Sequence, residues 1–113
     1  KEILVLEGGI NHLARPALTG NQFPCEPFRV SNEDSIEFNL HGPLCTALDK
    51  MGVYQLPKDI NVGDWLVFSQ VGAYGFTESM PYFLCHNLPA EVILSGGQFS
   101  ILRDVQPSSD WLV

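Results

Sequence analysis

Three stretches of the sequence set reactive groups beside turn-forming residues. In the first, His41-Gly42-Pro43-Leu44-Cys45-Thr46-Ala47-Leu48-Asp49, a thiol follows a Gly-Pro break, so Cys45 stands at a loop or at a helix start. The amide dipoles of a helix start lower a thiol's pKa, which suits Cys45 to proton donation or nucleophilic attack near neutral pH. The plainer alternative is a small core hydrophobe, the common fate of a free cysteine. In the second stretch, Gln70-Val71-Gly72-Ala73-Tyr74-Gly75-Phe76, small residues let backbone amides approach a ligand and Tyr74 offers a hydroxyl donor to an anionic group. A tyrosine between glycines is equally at home in a turn packed on a core. The third is Gly8-Gly9-Ile10-Asn11-His12-Leu13-Ala14-Arg15-Pro16-Ala17-Leu18. The planar fork of Arg15 suits two parallel hydrogen bonds to a carboxylate; a solvated loop arginine needs no such role.

Other constellations are absent from the sequence. His12, His41 and His86 lack a cysteine or acid at ligand spacing, so no metal site is expected. There is no P-loop, dinucleotide fingerprint or nucleophile-elbow serine. Asp49, Asp59 and Asp64 each stand beside a chain-direction signal and read as turn or cap residues, and Cys25 and Cys85 as structural.

The elements that must carry these loops repeat with a period of two. Ser35-Ile36-Glu37-Phe38-Asn39-Leu40 alternates strictly, putting Ile36, Phe38 and Leu40 on one face of a strand. Phe28 and Val30 begin the same pattern ahead of a turn at Ser31-Asn32-Glu33-Asp34. The short apolar runs Ile3-Leu4-Val5-Leu6 and Trp65-Leu66-Val67-Phe68 suit strands buried on both faces. Glu91–Leu94 and Phe99–Leu102 flank Ser95-Gly96-Gly97-Gln98, and the two glycines supply the positive φ angles of a tight hairpin. Leu44 to Met51 accommodates one or two helical turns. Eight prolines and ten glycines leave little room for longer helices. The expected fold is a mainly all-β domain, an antiparallel β-sandwich or β-barrel with one or two short helical turns.

A chain of 113 residues is one domain's worth of sequence, and its 45% apolar and 17% charged content is that of a globular protein. The net charge of −7 repels nucleic-acid phosphates and anionic membrane surfaces. No apolar run reaches the roughly 20 residues of a membrane-spanning helix. Three widely spaced cysteines make no disulfide framework and point to a reducing, cytoplasmic setting. The first residue is Lys1, not Met, and an apolar run opens at Ile3, which leads us to expect a piece of something longer.

The order Gly8-Gly9, Arg15-Pro16-Ala17-Leu18, Gly42-Pro43-Leu44-Cys45, Asp49, Gly63-Asp64, Gly72-Ala73-Tyr74-Gly75 resembles the C-terminal domain of the fold-type III pyridoxal-phosphate-dependent decarboxylases, which include the ornithine and diaminopimelate enzymes. The resemblance runs from Gly8 to about Leu94. It implies an alanine-racemase-C-terminal-like fold, with residues 1–113 forming the C-terminal β-domain of a decarboxylase. The pyridoxal 5′-phosphate-binding (β/α)₈ barrel, about 250 residues in such folds, lies outside this chain, which alone is expected to be inactive. By the same resemblance Cys45 donates a proton in the partner subunit's active site, Tyr74 touches the cofactor phosphate, and Arg15, Thr46 and Tyr74 face the substrate. The parent enzyme is then a homodimer acting on an amino acid or an amino-acid conjugate.

Two departures bear on that substrate. Thr46 stands where ornithine-type enzymes carry Asp and diaminopimelate-type enzymes carry Glu, so a distal ammonium lacks its counter-ion. Arg15-Pro16-Ala17-Leu18 matches the diaminopimelate pattern, in which the arginine binds a far carboxylate, but Thr19 replaces the expected tyrosine. Cys45-Thr46 and Phe83-Leu84 are similar to the branch acting on carrier-protein-linked or polymer-export-associated amino acids, with siderophore-pathway enzymes a further option. The alternative from a different class is a free-standing β-barrel binding or interaction module without catalysis, its motifs serving as turns. A racemase of related two-domain build is the third.

Overall fold

Strict alternation makes Ser35–His41 the central strand. In the computed structural model, which describes residues 2–112, this strand (β3) pairs in parallel with β1 (Glu2–Val5) and antiparallel with β4 (Lys50–Pro57). A second, two-stranded sheet joins β2 (Cys25–Pro27) to β5 (Leu66–Phe68). These elements, with the five-residue helix α1 (Arg15–Thr19), belong to a compact unit that ends at Met80. A second unit starts at Pro81 and holds the antiparallel pair β6 (Glu91–Ser95) and β7 (Gln98–Arg103).

The fold is thus mostly strands with short helical turns, as expected. The sheets are open rather than closed into a barrel, and the β1–β3 pair is parallel. Register explains the core. Leu4 lies opposite Leu40, and Phe38 opposite Tyr54, so one face of the sheet gathers Leu4, Phe38, Leu40, Tyr54 and Leu56 around Leu13. A bulge adds Met51 to the same core: Leu40 pairs with Gly52 and His41 with Lys50, which leaves Met51 as an extra residue turned inward. Burying a side chain such as Leu40 or Leu56 contributes about 2–3 kcal/mol each.

Several strand expectations are corrected. Ile3-Leu4-Val5-Leu6 and Trp65-Leu66-Val67-Phe68 are not buried on both faces. Ile3, Val5, Trp65 and Val67 are exposed while Leu4, Leu6, Leu66 and Phe68 pack on the core. The reason is that each run pairs in a sheet with one face on the core, so a continuous apolar run still alternates in burial. Ile36 is more exposed than Phe38 and Leu40, near the strand's start. Phe28 and Val30 extend no strand: β2 stops at Pro27, and both side chains are exposed. Arg29 between them is held instead by Asp59 and Asp64. Leu44 to Met51 forms turns and then the start of β4, with no helix.

The hairpin stands as expected. Gly96 and Gly97 adopt φ of 57° and 76°, the two positive values of a type I′ turn, whose twist matches that of the flanking strands. Among the described residues no helix is long and apolar enough to cross a membrane.

Candidate functional site

The three chemistry-bearing stretches meet in the first unit, and a buried carboxylate joins two of them. Asp49 is 2% exposed. Its Oδ1 accepts the Ile10 N–H at 2.8 Å and its Oδ2 accepts the Leu44 N–H at 2.8 Å. Its backbone carbonyl accepts the Gly42 N–H, closing the turn that carries Cys45. Gly9 and Gly42 are glycines for a steric reason: a Cβ on either falls 2.2 Å from an Asp49 carboxylate oxygen. A small apolar cluster of Ile10, Ala14 and Leu44, with Ala17 and Met80 against it, lies at the same junction. The expected turn-and-cap role of Asp49 therefore holds locally and extends 39 residues back along the chain.

The segment that follows the second stretch closes on the third from the other side. The Met80 N–H donates to the Ile10 carbonyl at 2.9 Å, and the Ser79 hydroxyl donates to the Asn11 carbonyl at 3.0 Å. Buried Asn11 returns its side-chain oxygen to the Gly9 N–H at 3.0 Å. Tyr74 ends a short 3₁₀ turn, Gly72–Tyr74, that Gly72 opens at φ 53°. Half of Tyr74 is exposed, and the Arg15 guanidinium carbon sits 4.0 Å from its ring centroid, a cation–π distance.

Arg15 begins α1, a helix with Pro16 in its first turn and Gly20 closing it at φ 77°. Its guanidinium forks onto Glu78, with Nε donating to Oε1 at 2.9 Å and Nη2 to Oε2 at 2.7 Å. The Glu78 hydrogen bonds hold the Arg15 pKa above its ordinary value. Arg15 is thus not a solvated loop residue, and an acid of the same chain already takes its Nε–Nη2 edge. Glu78 escaped the sequence reading. Its sole signal there is an opposite charge 63 residues away, and sequence separation carries no direction in space.

Cys45 is exposed, which removes the core-hydrophobe alternative. The helix-start rationale for its reactivity also falls, since its loop contains turns only. Thr46 is half-buried beside it, and its hydroxyl accepts the Leu48 N–H at 3.2 Å. Arg15 and Tyr74 are therefore in direct contact, while Cys45 and Thr46 occupy the neighbouring loop that Asp49 ties to Ile10. A mostly apolar groove of about 930 Å³, lined by Leu4, Leu6, His12, Trp65, Val71 and Phe76 among others, includes none of the four.

Elsewhere Cys25 packs on the core, and burial pushes its thiol up to about 11. Cys85 is exposed, at φ 60°, rather than packed. Asp64 accepts the Asn61 N–H, as a turn residue should, and also forks with Arg29, which Asp59 holds from a second side. Among the described residues no group of three or more His, Cys, Asp or Glu is placed to hold a metal ion.

One mostly-β unit thus brings together a Gly-Pro-x-Cys loop, an Arg-Pro helix start and a Gly-Ala-Tyr turn. The family model described as pyridoxal-dependent decarboxylase, C-terminal sheet domain, matches residues 1–72, and the chain belongs to that family. It is similar to the diaminopimelate decarboxylase of Buchnera aphidicola subsp. Baizongia pistaciae, at 30% identity over 99% of this chain and 29% of the relative. The L-glutamyl-[BtrI acyl-carrier protein] decarboxylase of Niallia circulans is 32% identical over 88% of this chain and 25% of its own length. Among solved structures, the diaminopimelate decarboxylase from M. jannaschi superimposes with a TM-score of 0.85 at 28% identity, covering 96% of this chain and 24% of that one. The chain therefore spans 24–29% of the length of these relatives.

Proposed function

We propose that this chain is the C-terminal substrate- and dimer-interface domain of a pyridoxal 5′-phosphate-dependent decarboxylase that acts on an amino acid or an amino-acid conjugate. The observation that carries this reading is the convergence of the three motif loops, Cys45 exposed on one and Tyr74 on another, in a chain of this family. Membership of that family supports the enzyme reading over a free-standing module.

The residues present fit one edge of the cofactor. The half-exposed phenol of Tyr74 is a hydrogen-bond donor suited to a phosphate oxygen. When bound, pyridoxal phosphate supplies the electron sink that makes loss of CO₂ feasible. Tyr74 holds its phosphate, while the lysine and most other contacts belong to the barrel domain of the full-length enzyme. Cys45 delivers the proton that replaces the lost carboxylate on the substrate's α-carbon. The exposed position of the sulfur is what such a donor requires, since the reading places it in the active site of a partner subunit in a homodimer. Arg15 and Thr46 stand at the substrate's side chain. Three free thiols among the described residues support a reducing, cytoplasmic setting.

The test is Cys45→Ser in the full-length enzyme. CO₂ release should fall about 100-fold or more, the range for removing a general acid, with KM and the visible absorbance of the bound cofactor little changed. Turnover within threefold of wild type would remove Cys45 from the mechanism.

A further inference from the structure

We infer that Glu78 is a built-in carboxylate that closes Arg15 to acid-ended substrates, so that this site takes an amino acid whose far end is uncharged. The inference rests on the reading of Arg15, Thr46 and Tyr74 as substrate-facing. A guanidinium recognises a carboxylate through two parallel N–H donors. In this structure the Nε–Nη2 edge already makes both bonds, at 2.9 and 2.7 Å, to the two oxygens of Glu78. Tyr74 covers the guanidinium at 4.0 Å. A second carboxylate arriving at Arg15 meets a charge already neutralised and stands within a few ångströms of the Glu78 anion, a like-charge approach that costs free energy.

A far-end ammonium fares no better. The Glu78 charge is already paired with Arg15, and the Asp49 carboxylate is buried with its oxygens taken by the Ile10 and Leu44 amides. Thr46, on the adjoining loop, presents a hydroxyl and no charge. What this arrangement favours is a neutral polar end: an amide, an ester or a thioester of the distal carboxyl group.

Glutarate, a simple dicarboxylate, probes the Arg15 fork without turnover. In the full-length enzyme, its binding is measured by calorimetry for wild type, Glu78→Gln and Glu78→Ala, and for each combined with Arg15→Met. Both single variants should bind glutarate at least ~5-fold more tightly than wild type, the scale of a partly exposed ion pair, and Arg15→Met should abolish the gain. In parallel, the kcat/KM ratio for a free dicarboxylic amino acid over its distal amide should rise by a similar factor in Glu78→Gln. No gain in glutarate affinity in either single variant, or a gain that survives Arg15→Met, overturns the inference. Failure of the decarboxylase reading looks different: wild type releases no CO₂ from any amino acid, while the glutarate comparison still decides the role of Glu78.

Discussion

Removing the Asp49 carboxylate should loosen two loops at once. Its oxygens are acceptors for the amides of Ile10 and Leu44, residues that are themselves buried at 0% and 6% exposure. In Asp49→Ala both amides lose their partner where water does not replace it easily. Leaving a buried donor unsatisfied costs about 1–3 kcal/mol, and two such donors make a loss of about 2–6 kcal/mol. At ~1.4 kcal/mol per tenfold, hydrogen-exchange protection of these two amides should fall by about one and a half to four orders of magnitude. Asp49→Asn is the informative partner variant. Its single carbonyl oxygen satisfies one amide, while its NH₂ faces the other donor, so one amide should keep protection and the other lose it. Amide exchange resolved by NMR or by mass spectrometry on the full-length enzyme gives both values. If Asp49→Ala leaves both amides within tenfold of wild-type protection, the carboxylate does not hold the Cys45 loop against the Arg15 loop, and the argument for a converged site fails with it.

The Arg29 knot should make stability depend on acid pH. Hydrogen bonding to Arg29 holds Asp64 below its ordinary pKa, and bonding to Ser31 and then Arg29 does the same for Asp59. A carboxyl depressed in the folded state stabilises above its unfolded pKa near 3.9, and that contribution is lost as pH falls below it. Melting temperature followed from pH 6 down to pH 2.5 should therefore drop less steeply in Asp64→Asn than in wild type; parallel curves refute the pairing. Cys25, raised to about 11 by burial and then by Glu26, should alkylate at pH 8 about two orders of magnitude more slowly than a free thiol of pKa near 8.5. Exposed Cys45 and Cys85 should react before it, and peptide mapping after timed labelling distinguishes the order; Cys25 labelling within tenfold of the free thiol rejects the burial assignment.

How far the sequence reached differs between strand and site. Alternation along Ser35–Leu40 correctly put Phe38 and Leu40 in the core, because i and i+2 residues share a face whatever the partner strand. Gly96-Gly97 announced its turn since few other residues adopt two successive positive φ angles. The order of the three motif loops was equally visible, and the family model covers residues 1–72, which hold two of them. Apolar runs such as Ile3–Leu6 misled because composition reports what a strand can bury and not how many faces are covered. The helical reading of Leu44–Met51 failed for a related reason: Asp49 is committed to distant amides, and β4 claims Lys50 onward.

Local residue pattern alone thus determined a strand-rich chain, its hairpin, and which loops carry a thiol, a phenol and a guanidinium, since these follow from neighbours two to four positions apart. Tertiary structure decided which charges meet. Asp49 reaches Ile10 across 39 residues and Arg15 reaches Glu78 across 63. Closing loops of that length costs conformational entropy that no single hydrogen bond or ion pair repays. Only the packing of Leu13, Phe38, Leu40, Met51 and Leu56 into one core makes those approaches favourable, and so the partner of each charge is a property of the assembled fold.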